Sequence, residues 1–166
     1  MAGTTSKSGN TSSQLKNPWG IYVTMKKTLY VVDYGNHRVQ KWLPGMYFCF
    51  TGNIVILSVM FTGAINATTV AGENGVRSKW SYGLNYPTSI ILDQFENMYI
   101  MDSGNNRIQR WSPGSTYGIT ILSGTFSNPY GIAFDRSGNL AIADSSHNRV
   151  VLASIICRKH EDTSFT

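Results

Sequence analysis

Three carboxylates occupy equivalent places in this chain, each with a guanidinium five residues on. Asp33-Tyr-Gly-Asn36-His37-Arg38 is echoed by Asp102-Ser-Gly-Asn105-Asn106-Arg107 and by Asp144-Ser-Ser-His147-Asn148-Arg149. Carboxylates, imidazoles and guanidinia in such proximity can move protons or capture anions. They can also simply build a turn. An Asp that ends a strand commonly accepts backbone N–H bonds, and the Asn that follows tolerates left-handed backbone. A charge pair repeated three times is more often architecture than catalysis, so each Arg is expected to pair with an Asp of its own or a neighbouring unit. The alternative has Arg38, Arg107 and Arg149 lining a surface for acidic ligands.

The other reactive side chains do not form a familiar constellation. His37 and His147 sit at equivalent turns and His160 in the carboxyl-terminal tail. Cys49 and Cys157 lie outside the repeated positions, with neither a disulfide framework nor a zinc spacing. There is no Gly-rich phosphate loop, nucleophile elbow or His-Glu-x-x-His helix. No catalytic residue, metal ligand or cofactor is therefore assigned, and no ligand-binding residue is singled out. Trp42 and Trp111 read as packing residues. Trp19 and Tyr130 adjoin turn-forming positions, where they pack or serve as exposed stacking platforms.

The elements that carry these residues follow from the alignment of the copies. A Pro stands 15 residues before each Asp: Pro18, Pro87 and Pro129. The first strands are predicted at Pro18–Val23, Pro87–Leu92 and Pro129–Phe134. After an Asx- or Gly-type turn come nearly all-apolar second strands at Leu29–Asp33, Met98–Asp102 and Leu140–Asp144. These have the pattern of strands covered on both faces. Third strands follow the Arg, at Val39–Trp42, Ile108–Trp111 and Val150–Ala153. The first two alternate apolar and polar as more exposed strands do. Outermost strands are predicted at Thr68–Ala71 and Ile119–Leu122. Four short antiparallel strands per repeat make a β-propeller blade, and such blades bury their faces only by stacking.

The Pro-x-Gly-Ile start, the apolar-apolar-Asp strand end, the Asn-His-Arg or Asn-Asn-Arg turn and the Val/Ile-Gln-Lys/Arg-Trp strand resemble the NHL-repeat family of β-propellers. The likeness covers most of residues 1–156, in units of about 1–69, 70–124 and 125–156, with residues 157–166 as a polar tail. The third copy departs from it: His147 and Asn148 are in swapped order, Ser146 replaces Gly and Ala153 replaces Trp. The second copy has Ser89 for Gly and Asn106 for His. The resemblance implies an all-β fold, a propeller of the six-bladed kind represented by about three blades, since propellers have about four to eight. It also implies a non-catalytic scaffold for a protein or peptide, as in the partner-reading ends of ubiquitin ligases, sensor kinases and extracellular modules. RNA binding, which some NHL propellers perform, is the alternative. A lyase- or hydrolase-like enzyme is a further one. The family includes an amidating lyase with metal-binding histidines, but no comparable ligand cluster is visible here.

The repeat also works as a ruler. Gly3 aligns with Gly72 and Leu15 with Leu84, so the chain starts in mid-blade. A piece of a longer propeller is expected; self-association through open blade edges, two chains completing one ring, is the alternative. Asp33 and Asp102 are 69 residues apart, whereas Asp102 and Asp144 are 42 apart. The excess includes residues 46–63, an uncharged apolar run that matches no part of a repeat. It reads as a membrane span, as an extra strand pair or apolar loop, or as a retained intron. Gly45-Met46-Tyr47 back-translates to a donor-like GTATGT and Thr62-Gly63 to an acceptor-like ACAG.

Composition agrees with the repeats. Only 14% of the 166 residues are charged, while Gly numbers 16, which suits a turn-rich β protein better than a helical or disordered one. The net charge is +5, but the excess is confined to residues 1–41, where Lys7, Lys16, Lys26, Lys27, Arg38 and Lys41 face Asp33 alone. A nucleic-acid surface needs clustered charge, and this is a weak version of it. The amino end lacks the apolar stretch of a signal peptide, so a cytoplasmic location is the default expectation.

Overall fold

The computed structural model describes residues 7–43, 67–124 and 126–155. These residues form three antiparallel sheets whose strand order follows the chain. Blade 1 holds β1 (Pro18–Val23), β2 (Leu29–Asp33), β3 (Arg38–Trp42) and β4 (Thr68–Gly72). Blade 2 holds β5 (Ser89–Leu92), β6 (Met98–Asp102), β7 (Arg107–Trp111) and β8 (Ile119–Ser123). Blade 3 holds β9 (Pro129–Phe134), β10 (Leu140–Asp144) and β11 (Arg149–Ala153). The all-β expectation and its two outermost strands are thus realised, in three blades rather than six among the described residues. The apolar run 46–63 and the tail 157–166 lie outside the described residues.

Small departures have local causes. Each third strand starts one residue early, at the Arg, because Asp33, Asp102 and Asp144 pair directly with Arg38, Arg107 and Arg149 across the ladder. β5 starts at Ser89 rather than Pro87, although the Thr88 N–H still donates to the Met101 carbonyl just ahead of it.

Blade 2 turns one face to blade 1 and the other to blade 3. Tyr30, Val32, Val39 and Ala71 of blade 1 meet Ile90, Leu92, Met98, Ile100 and Trp111 of blade 2. Tyr99, Met101 and Ile108, on the other face of blade 2, meet Ile132, Leu140 and Ile142 of blade 3. The period-2 alternation of a strand produces this two-sided burial. At the free face of blade 1, Leu29, Val31 and Trp42 are covered by Leu15 and Ala67. Ile21 and Val23 remain exposed there, while their equivalents Ile90 and Leu92 are buried.

The connection from Gly72 to Pro87 spans 15 residues and that from Gly124 to Pro129 only 5. The longer one is a loop with bridges Glu73–Val76 and Arg77–Leu84. It explains why the first Asp–Asp interval exceeds the second even with residues 46–63 set aside.

Candidate functional site

In all three blades the corner Asp is buried. One carboxylate oxygen accepts a backbone N–H from the segment entering the blade: Lys16 at 2.7 Å, Asn85 at 2.6 Å and Ser127 at 2.7 Å. The other accepts the Arg Nε, at 2.8 Å from Arg38, 2.7 Å from Arg107 and 2.8 Å from Arg149. That same oxygen takes a bond from the residue three positions on: Asn36 Nδ2, Asn105 Nδ2 or His147 Nδ1, each at 2.8 Å. The next residue is left-handed: His37 at φ 56°, Asn106 at 47° and Asn148 at 51°. One position therefore needs a donor and the other a tolerance of positive φ. Asn and His offer both, which is why the third copy accepts their swapped order.

Each Arg forms its pair within its own blade, one of the two options left open by the sequence. Arg38 spends its remaining donors on the carbonyls of Asn10, Thr11 and Gln14. Arg107 does the same with Lys79, Trp80 and Gly83. Both guanidinia thereby tie down the loop entering their blade rather than lining an anion surface. Arg149 is half-exposed, beside the short connection.

The corners of blades 2 and 3 differ in their proton affinity. Burial pushes the Asp102 carboxyl up, against the bonds from Asn105, Asn85 and Arg107. At Asp144 desolvation also opposes ionisation, but the bonds from the Ser127 N–H, Arg149 and His147 outweigh it and hold the carboxyl at about 2. Asp144 therefore contributes stability that is present above the ordinary carboxylate value near ~4 and is lost as pH falls through about 2. Asp102 acts with the opposite sign: its contribution is most favourable at low pH and declines as pH rises through its elevated value. In a carboxyl-carbon NMR titration, Asp102 is expected to protonate first on acidification and Asp144 well after it. The reverse order would refute this assignment.

Pro18 pairs with Asp33 and Pro129 with Asp144, so the start of the first strand and the Asp corner share one end of a blade. A run of aromatic rings crosses the molecule there. Trp19 stacks on Tyr34 at 5.1 Å and on Tyr130 at 5.2 Å, with the planes 17° and 21° apart. Tyr34 meets Tyr86 at 4.7 Å, Tyr86 meets His37 edge-on at 4.5 Å, and the Arg77 guanidinium lies 4.4 Å over the Tyr86 ring. Trp19 is 52% exposed and Tyr130 43%. Thr88, the middle blade's equivalent of these two, is small and buried. Its hydroxyl is engaged with Ser103, and the larger rings of the flanking blades meet.

Beside the rings lies a cleft of about 410 Å3 lined by Lys16, Asn17, Tyr34, His37, Arg77 and Tyr86, among others. The Lys16 stem lies across Gly35, where a Cβ would come 2.7 Å from Lys16 Cγ. In the third copy Ser146 replaces this Gly, and the residue crossing it is the short Ser127. Tyr86 holds φ 46°, a conformation that its equivalents Asn17 and Asn128 share. A bulky residue there stores strain of about 1–3 kcal/mol. Its N–H donates to His37 Nδ1 at 3.0 Å, which assigns the neutral ring's proton to Nε2. Burial pushes the His37 imidazole pKa down, Arg77 and Lys16 add to this, and Asp33 resists it.

Trp42 and Trp111 are buried as the sequence leads one to expect, and Trp19 and Tyr130 are exposed but stacked on each other. Cys49, Cys157 and His160 lie outside the described residues. Among the described residues no three His, Cys, Asp or Glu side chains gather as a metal site would require, and no helix is long and apolar enough to cross a membrane. Sequence reasoning missed Tyr34, Tyr86, Arg77 and Lys16 as members of one site. A signal for them existed in the places where the aligned copies disagree: Tyr34 against Ser103 and Ser145, and Tyr86 against Asn17 and Asn128. Positions where the copies agree build the corner, and positions where they differ build the rim.

Comparison with known proteins supports the blade reading. Residues 15–42 match the NHL repeat. No curated protein matches the sequence. Among solved structures, virginiamycin B lyase from Staphylococcus aureus is similar at 14% identity and a TM-score of 0.56, covering 89% of this chain and 41% of its own. An auxiliary nutrient binding protein from Bacteroides thetaiotaomicron is similar at 12% identity and a TM-score of 0.60, covering 81% and 37%. A nidogen/laminin complex is similar at 17% identity and a TM-score of 0.54, covering 84% and 49%. The chain thus spans less than half the length of each of these structures, and at such identities the likeness is one of fold. With a matched NHL repeat at residues 15–42, an Asp corner that recurs in all three units and sheets of four, four and three strands, the chain carries an NHL repeat and has the blade fold of a β-propeller.

Proposed function

We propose that the chain is a non-enzymatic propeller scaffold that binds a protein or peptide at the aromatic rim. The same fold carries a lyase and nutrient-binding proteins, so the choice rests on the site. The observation that carries the proposal is the continuous run Tyr130–Trp19–Tyr34–Tyr86, half-open to solvent and built from positions the fold does not need to be aromatic. Exposed Trp and Tyr are the residues that dominate recognition energetics, because they bury large area at small entropic cost. The carboxylates of the corners, by contrast, are buried and fully engaged with donors. His37 is buried, with Nδ1 already bonded.

Selection of displayed random peptides tests this reading. A peptide family should be enriched on the wild-type protein and lost on a Trp19→Ser/Tyr130→Ser double variant with an unchanged unfolding midpoint. Equal enrichment on both proteins, or none on either, would overturn it.

A further inference from the structure

The cleft beside the rim carries positive charge that no carboxylate in its lining balances. Lys16 and Arg77 border it, and the lining includes no acid. Neither the Lys16 ammonium nor the Arg77 guanidinium has an acidic partner among the described residues. Every other repeat-position cation near this end is committed: Arg38 and Arg107 are held by Asp33 and Asp102. Burial, and after it the charges of Arg77 and Lys16, disfavours a positive charge on His37. A ligand group that fits is therefore anionic, and small enough for a cleft of about 410 Å3.

The rings decide what the anion is attached to. Trp19 has a ring stacked on each side, at 5.1 and 5.2 Å, the separation of a closed stack. Tyr34 lies between Trp19 and Tyr86, and Tyr86 carries Arg77 over its ring. A nucleobase needs a free ring face, and this run offers few. Rings whose faces cover one another leave their edges for a ligand, and an aromatic edge is the positive part of its quadrupole, which favours carboxylate and carbonyl oxygens over another π-face.

We propose that this cleft binds a carboxylate of a peptide, with Arg77 and Lys16 as its cations, while Trp19 and Tyr130 take the apolar side chain next to it. This rests on the peptide-binding reading above and adds the chemistry that the peptide must carry. An acidic side chain and a free chain terminus present the same group.

Fluorescence anisotropy with defined probes separates the sources. The first probe alternates Glu and Phe and has an amidated end. The second replaces Glu with Gln and keeps a free carboxyl terminus. The third replaces Glu with Gln and is amidated, and the fourth is oligouridylate. Binding is expected for the first probe, the second or both, with the third at least about tenfold weaker. Arg77→Gln and Lys16→Gln should each weaken the bound probe by about tenfold, and Arg77→Lys should restore part of the loss. If all three peptides bind equally and only Trp19→Ser removes them, the rim reading stands and the carboxylate inference fails. If no peptide binds, or only oligouridylate does, both fail.

Discussion

Asp33→Ala is expected to lower the unfolding free energy by about 3–5 kcal/mol, the range for removing one partner of a buried ion pair. The Asp33 side chain is 0% exposed and that of Arg38 2%. Without the carboxylate, a guanidinium remains buried with only carbonyl partners. The Lys16 N–H and the Asn36 amide each lose an acceptor as well. The guanidinium also anchors residues 10–14, so the loss propagates into the segment entering the blade. Equilibrium urea unfolding measures the effect. An Asp33→Ala/Arg38→Met double variant should recover part of it, because it removes the stranded charge along with its partner. A loss below about 1 kcal/mol would place the pair with exposed salt bridges and overturn the account of the corner. Arg149→Gln should cost less than Arg38→Gln, since Arg149 is half in solvent.

Trp111→Ala should cost about 3–5 kcal/mol, the range for truncating a buried Trp. Its ring sits between blades 1 and 2 in one cluster with Val32, Val39, Ile90 and Ile100. These side chains are anchored in paired strands on both sides and cannot readily close the space. Trp42→Ala is expected to cost less. Its face of blade 1 is covered by Leu15 and Ala67 and borders the exposed Ile21 and Val23, so the surroundings can relax into the gap. Denaturant midpoints of the two variants provide the comparison, and a larger loss at Trp42 would contradict the packing described here.

The blade was legible in the chain because its determinants are local. The Asp of a corner and the groups that satisfy it lie within a few residues of one another or recur at a constant offset. Repetition then amplifies a weak pattern into a readable one. The same logic set the strands to within two residues, missing the Arg that opens each third strand and placing the start of β5 at Pro87 rather than Ser89. It also chose correctly between architecture and an anion surface for Arg38 and Arg107, because a role repeated in every unit belongs to the unit.

The rim was not legible in that way. Trp19, Tyr34, Tyr86 and Tyr130 come from three blade repeats, and no local period relates them. That Trp19 meets Tyr130 depends on Thr88 of the intervening blade being small and buried, and on the stacking of three sheets that brings their ends together. Alignment of the copies exposes these positions as deviations from the repeat, but a deviation has no address until the blades are packed. By itself the sequence determined the blade, its corner and its repeat register, since hydrogen-bond geometry and strand alternation act over short distances along the chain. The tertiary structure alone decided that four scattered aromatic residues form one stack beside Lys16 and Arg77, since Tyr130 and Tyr86 join Trp19 and Tyr34 only when the blades pack.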